Sequence, residues 1–238
     1  MISMMSTKQK MMKNKRNAVI LLSGGLDCST ALASTINKYN YTLALTFDYG
    51  QKALEKEVVA ASKIAKFYNT EHKIIKLDWL KEITTTSLVS GKDIPENVDI
   101  LQMKETKQSA DAVWVPNRNS VFINIAAAFL DAMQGGVIVI GANKEEAQTF
   151  SDNSKEFINE INKSLKFSCS QNVEVAAPLI DLDKTQIVSL AVQSGLPLEY
   201  INSCYSSKEG HCGVCESCLR LKKALLNCGQ EKIVKMLF

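Results

Sequence analysis

Two groups of residues in this chain are spaced for chemistry. The first is Leu22-Ser23-Gly24-Gly25-Leu26-Asp27-Cys28-Ser29-Thr30, which follows a short apolar run at 18–22. Paired glycines let backbone amides approach an oxyanion, and the hydroxyls of Ser23, Ser29 and Thr30 add donors. A turn from a strand into a helix is also where an open α/β sheet binds phosphate. Asp27 stands out among these donors. A carboxylate beside phosphate is repulsive unless it caps the helix or a cation such as Mg²⁺ bridges the charges. The chain has no G-x-x-x-x-G-K-[ST] and no G-x-G-x-x-G, which excludes a Walker loop and a dinucleotide fingerprint. A plain glycine turn, with Asp27 only as a cap, is the competing reading of the same spacing.

The second group is Cys204-x7-Cys212-x2-Cys215-x2-Cys218. Four soft ligands on short loops, with no open position, describe a structural zinc site, one per chain. An iron–sulfur cluster could also take four thiolates, but nothing else in the chain suggests redox chemistry. His211 adjoins Cys212 and is expected to be a spectator, because adjacent residues rarely both reach one metal. Cys28, Cys169 and Cys228 stand alone. Seven cysteines distributed in this way argue for a metal site in a reducing, cytoplasmic compartment rather than for a disulfide scaffold.

These residues need a scaffold, and the pattern of the chain suggests one. Its 238 residues, 46% hydrophobic and 22% charged, suit one ordinary globular domain with a small appendage. No apolar run approaches the roughly 20 residues of a membrane span. Short apolar or β-branched runs at 18–22, 42–47, 73–77, 137–141 and 173–176 predict strands. Helical patterns begin near 29 and cover 52–69, 120–133 and 152–167, and a further helix runs between an Asp183 N-cap and a Gly195 C-cap. Residues 78–117 lack clear periodicity and are expected to form a lid or insertion. The alternation implies an α/β fold, a doubly wound parallel sheet, followed by a small helical zinc-binding region. Residues 1–17 are expected to be a disordered basic leader, 18–200 the nucleotide-binding domain and 201–238 the zinc-binding region.

Net charge narrows the partners. The formal charge is +3, from 28 bases and 25 acids. Five of those bases, Lys8, Lys10, Lys13, Lys15 and Arg16, lie in the leader, leaving 23 bases against 25 acids in the body. A body near −2 gives no footprint for phosphate-backbone binding, so no direct nucleic-acid partner is expected.

The loop S-G-G-x-D-C-S after a strand resembles the PP-loop of the adenine nucleotide alpha hydrolase-like, Rossmann-like ATPases. Asp48-Tyr49-Gly50-Gln51-Lys52 is similar to the F-D-Y-G-Q-R-H motif of the 7-cyano-7-deazaguanine synthase (QueC/ExsB) family, with Ala53 in place of its histidine. Val115-Pro116-Asn117-Arg118-Asn119 matches V-P-x-R-N, and Gly141-Ala142-Asn143 matches G-x-N. The following segment departs from the family pattern G-x-N-x-x-D-x-x-G-[FY]-P-D-C-R. Asn143, Phe150 and Asp152 match, Glu146 keeps only the charge, and the arginine is missing. The resemblance, to an archaeal-like variant, runs from about 18 to 228.

The resemblance implies an ATP-dependent ligase that adenylates 7-carboxy-7-deazaguanine and uses ammonia to make 7-cyano-7-deazaguanine, the base precursor of queuosine- and archaeosine-type tRNA nucleosides. ATP, Mg²⁺ and zinc are the implied cofactors, and a homodimer handling small molecules the implied state. Residues 22–32, including Ala31 and Leu32, would cradle ATP, with Asp27, Ser23 and Arg118 as catalytic groups. Cys28 takes a position often filled by serine and is not expected to be a nucleophile. Asp48, Gln51, Arg118, Asn143 and Asp152 would face substrate, Asp152 reading the guanine-like edge while also competing to cap a helix. Cys204, Cys212, Cys215 and Cys218 would hold zinc. A different acceptor amine, a tRNA thiolase and a noncatalytic zinc interaction module are the alternatives.

Overall fold

The computed structural model describes residues 16–40, 42–100, 102–206 and 209–238. The expected leader lies outside the described residues except for Arg16 and Asn17. Arg16 pairs with Glu174 and donates to the Gly136 carbonyl at 2.8 Å, and Asn17 donates to the Met133 carbonyl at 2.8 Å.

Five strands form one parallel sheet. They are β1 (Ala18–Leu21), β2 (Thr42–Asp48), β3 (Glu71–Lys76), β4 (Gly136–Val139) and β5 (Val173–Ala176), in the order β3-β2-β1-β4-β5. Ala18, Ile20, Ala44, Val137 and Val139 face one core, shared with α1 (Leu26–Thr35), α2 (Leu54–Phe67), α7 (Lys184–Gln193) and α8 (Glu216–Asn227). Val19, Leu43, Leu45, Ile138, Val173 and Val175 face the other, shared with α5 (Arg118–Ala132) and α6 (Lys155–Ser168). The central strands β1, β2 and β4 are buried on both faces and read as continuous apolar runs, whereas the edge strand β3 is largely exposed and β5 alternates. The doubly wound fold is as expected.

The strand order reverses between β1 and β4, so their connections leave in opposite directions and open a crevice at the carboxyl ends. Residues 78–117 hold two helices, α3 (Asp78–Ile83) and α4 (Met103–Val113). The stretch between them carries Leu88 to the crevice wall and reaches the cysteine region. There, Glu96 bridges Cys215, and the Asn97 amide donates to Val214 at 2.8 Å. A short α9 (Glu231–Leu237) ends the chain. Among the described residues no helix is long and apolar enough to cross a membrane.

Two helix starts differ from expectation. The first helix begins at Leu26 rather than near 29, entered from an extended Gly25. The helix expected from 152 begins at Lys155, because the Ser154 hydroxyl accepts from the Phe157 amide at 3.1 Å. Ser154 is thus the cap, and Asp152 has no capping role. Asp183 is the N-cap of α7, with a full capping box closed by Gln186, and Gly195 at φ +67 follows its end as expected.

Candidate active site

The crevice is a cleft of about 270 Å³ lined by the glycine loop, the ends of β1, β2 and β4, and the start of the cysteine region. Gly24 holds φ +79 against α2, where a Cβ would lie 2.5 Å from the Ala60 Cβ and 2.7 Å from the Ala61 nitrogen. A Cβ on Gly141 would lie 2.6 Å from the Cys28 nitrogen. Both glycines therefore allow backbone to approach where a side chain could not fit. The loop is also tied from outside. The Asn202 amide donates to the Gly24 carbonyl at 2.8 Å, and the Leu26 amide to the Ser203 hydroxyl at 3.2 Å.

Of the loop residues expected to cradle ATP, Leu22, Ser23, Gly25, Leu26, Asp27 and Cys28 line the cleft. Thr30 is buried and its hydroxyl donates to the Leu26 carbonyl at 2.7 Å, while Ala31 and Leu32 belong to the core. Those three support the loop from below. The Ser29 hydroxyl is buried without a partner. Burial pushes the Cys28 thiol up, which disfavours a nucleophilic thiolate.

Asp27 meets a partner that sequence reasoning missed. The Lys184 ammonium lies 2.5 Å from Asp27 Oδ2 and 2.8 Å from Glu146 Oε1. The capping box puts Lys184 at the first position of α7, and its backbone amide donates to Glu145 Oε1 at 2.8 Å. Arg220 pairs with Glu145 at 2.8 Å and Glu216 at 2.9 Å, fixing the acidic turn. Asn143 builds that turn: fully buried, it accepts from the Glu145 and Glu146 amides at 3.0 Å each and does not line the cleft. Two carboxylates thus share one ammonium, and Asp27 Oδ1 is buried without a partner. An excess negative charge and an orphaned oxygen fit a hard divalent cation.

Burial pushes the Asp27 carboxyl up to about 6, outweighing Lys184. Burial acts upward on Glu146 too, but Lys184 brings it below its ordinary value. A folded-state pKa above the unfolded one means the folded protein holds the extra proton, so stability falls as pH rises from about 4 through 6. The amide introduced by Asp27→Asn cannot ionise. Between pH 5 and 7, ligand-free wild type is therefore expected to lose roughly 1 kcal/mol relative to Asp27→Asn. Paired thermal melts should show a shift of a few °C at this chain length; a difference in Tm independent of pH would refute the shift.

The expected substrate residues separate. Arg118 lines the cleft; burial works against its charge, but Tyr49 and Asp152 outweigh that and raise its pKa. Asp152 lies instead in an adjoining recess of about 70 Å³ with Arg118, Glu146 and Tyr205. Asp48 does not reach the cleft: its Oδ1 accepts from the Gly50 amide at 3.1 Å and shapes the turn. Gln51 lines the cleft with its amide spent, accepting from the Tyr49 amide at 3.0 Å and donating to the Phe47 carbonyl and Glu57 Oε2 at 2.8 Å each. Tyr205 and Glu57, both in the cleft wall, are further residues that the sequence reading missed.

The four cysteine sulfurs lie within 4.8 Å of one another, and Cys212 and Cys218 are 3.9 Å apart. A tetrahedron with metal–sulfur bonds of about 2.3 Å has edges of about 3.8 Å, so the cluster fits zinc. Backbone amides of Ser206 and Cys212 donate to Cys204 Sγ at 3.4 Å, and that of Cys215 to Cys212 Sγ at 3.3 Å, contacts that favour thiolates. His211 is not in the cluster; its Nε2 accepts from the Ser203 amide at 3.2 Å.

Comparison with known proteins gives a consistent set of relatives. The family model described as "Queuosine biosynthesis protein QueC" matches residues 17–229. A 7-cyano-7-deazaguanine synthase of Carboxydothermus hydrogenoformans is 46% identical, covering 87% of this chain and 97% of its own. One of Methanosarcina barkeri is 44% identical (89% and 94%), and one of Bdellovibrio bacteriovorus 42% identical (95% and 99%).

Proposed function

The chain belongs to the QueC family, the 7-cyano-7-deazaguanine synthases, and from that premise we propose how its cleft turns 7-carboxy-7-deazaguanine into the nitrile. It is an ATP-dependent ligase of queuosine biosynthesis; a contribution to archaeosine-type nucleosides is part of the proposal. A substrate carboxylate oxygen attacks the α-phosphorus of ATP and pyrophosphate leaves. Ammonia then attacks the acyl carbon and AMP leaves, giving the amide. The amide oxygen then attacks the α-phosphorus of a second ATP and pyrophosphate leaves; the nitrogen gives up its two protons as the C–O bond to AMP breaks, giving the nitrile.

The observation that carries this reading is the partly buried Asp27 of the glycine loop, its buried Oδ1 unpartnered and its Oδ2 on Lys184. Asp27 and Glu146 would hold Mg²⁺, which offsets the charge of the phosphates. Lys184 supplies a fixed positive charge, and loop amides and the Ser23 hydroxyl orient the phosphates. The protein mainly positions reactants. Arg118 takes the substrate carboxylate in a fork, with Asn119 accepting from its Nε at 3.3 Å and Asp152 adding a favourable nearby charge. Zinc on Cys204, Cys212, Cys215 and Cys218 is structural. A homodimer in the cytoplasm, where thiolates stay reduced, without a direct nucleic-acid partner, completes the proposal.

Incubation with ATP, Mg²⁺, ammonium and the deazaguanine acid should yield AMP, pyrophosphate and the nitrile by mass spectrometry. Absence of nitrile from zinc-loaded protein would refute the reading. Arg118→Lys keeps the charge but loses the fork. The KM for the acid is expected to rise about tenfold or more while that for ATP holds; an unchanged KM would remove Arg118 from the carboxylate site.

A further inference from the structure

One carboxylate in the cleft is used by neither the phosphate site nor the metal site. Glu57 lies on the first turn of α2 and lines the cleft with Phe47, Tyr49 and Phe122. Among the described residues it forms no ion pair, unlike Glu145, Glu146 and Glu216. Its Oε2 accepts from Gln51 Nε2 at 2.8 Å. That amide is itself pinned at both ends, so Gln51 acts as a fixed strut that sets the orientation of the carboxylate. An ionised carboxylate has about four acceptor sites, and one is in use. Burial pushes the Glu57 carboxyl up, outweighing the Gln51 hydrogen bond and the more distant charges of Arg118 and Lys56, and such a group gains when donors arrive.

The walls beside it suit a flat ring. Phe47 and Phe122 stack at 3.9 Å with their planes 6° apart, and Tyr49 lies 5.7 Å from Phe122. Leu21, Leu45 and Ile140 complete an apolar lining. A deazaguanine presents two adjacent donors, N1–H and the 2-amino group, which match the two oxygens of an acceptor-only carboxylate. Adenine presents a donor beside an acceptor nitrogen, which an ionised carboxylate would repel. We propose that Glu57, braced by Gln51, is the residue that reads the N1–H and 2-amino edge of the deazaguanine acid. This assigns base specificity to α2 and gives Gln51 a positioning role; it rests on the function proposed above.

The test pairs a variant with a substrate analogue. Glu57→Gln keeps an oxygen for the Gln51 amide and is expected to keep its Tm. Wild type should prefer the acid over its 2-desamino analogue by about tenfold or more in kcat/KM, because the analogue leaves a buried acceptor unpaired. In Glu57→Gln the KM for the acid should rise about tenfold or more, the preference should fall to within about threefold, and the KM for ATP should hold. A preference that survives with both acids equally impaired would make Glu57 merely structural and overturn the inference. A rise in the KM for ATP alone would place Glu57 at adenine and overturn it too. Wild type inert toward both acids would overturn the parent reading, and this inference with it, before any variant is made.

Discussion

Replacing Asp27 with alanine is expected to abolish AMP formation while the protein stays folded. The carboxylate stands within 2.5 Å of Lys184 in the glycine loop and carries an orphaned buried oxygen. Losing one preorganised charge partner in an active site typically costs on the order of a hundred- to a thousandfold in rate. Asp27 would also lose its role as cation ligand, so the upper end or beyond is expected. The fold should survive, because Lys184 keeps Glu146 as a partner and the raised pKa marks Asp27 as a stability cost at neutral pH. Single-turnover AMP assays on protein with native circular dichroism are the measurement. Wild-type turnover in a folded Asp27→Ala protein would sink the nucleotide assignment.

The second large effect concerns the metal. Zinc content is expected to fall from about one per chain in wild type to near zero in Cys215→Ser, because Cys215 is buried within the sulfur cluster. Metal binding contributes folding free energy directly. A loss of about 3 kcal/mol would lower Tm by roughly 6–12 °C in a chain of this length. Cys28→Ser, Cys169→Ser and Cys228→Ser should leave zinc in place, since none joins the cluster. Elemental analysis that finds full zinc in Cys215→Ser would reject this ligand set.

The four-cysteine cluster was legible because metal-ligand spacing is local in sequence and short loops leave few other geometries. The parallel sheet was legible because its three central strands are buried on both faces and read as apolar runs. Lys184 was not legible. It lies 157 residues from Asp27, and beside a strong Asp183 cap it reads as an ordinary helix-start lysine. Glu57 sits among Glu55 and Lys56, where a charged helix face looks solvated, and only the fold turns it into the cleft. Asp48 and Asn143 stand at the strand ends where the motifs put them, but each turns its oxygen onto its own turn. Periodicity places a residue at a rim, yet a short polar side chain can fold back onto its own turn, as both do. The start of α6 was missed because Asp152 and Ser154 are both good caps, and only geometry chooses between them.

The segment leading into the cysteines is bonded to the phosphate loop at two points, Asn202 to Gly24 and Leu26 to Ser203, and Cys204 reaches the cleft wall. Once the four sulfurs hold a metal, the geometry of that segment and of the loop are no longer independent variables. Whatever factor the metal adds to nucleotide affinity, the nucleotide must return to metal affinity, because coupling between two equilibria is reciprocal. Where that coupling is favourable, a chain with nucleotide bound would hold a metal on the four sulfurs against competing chelators better than an idle one. With the metal limiting, the idle copies would then be the first to release it.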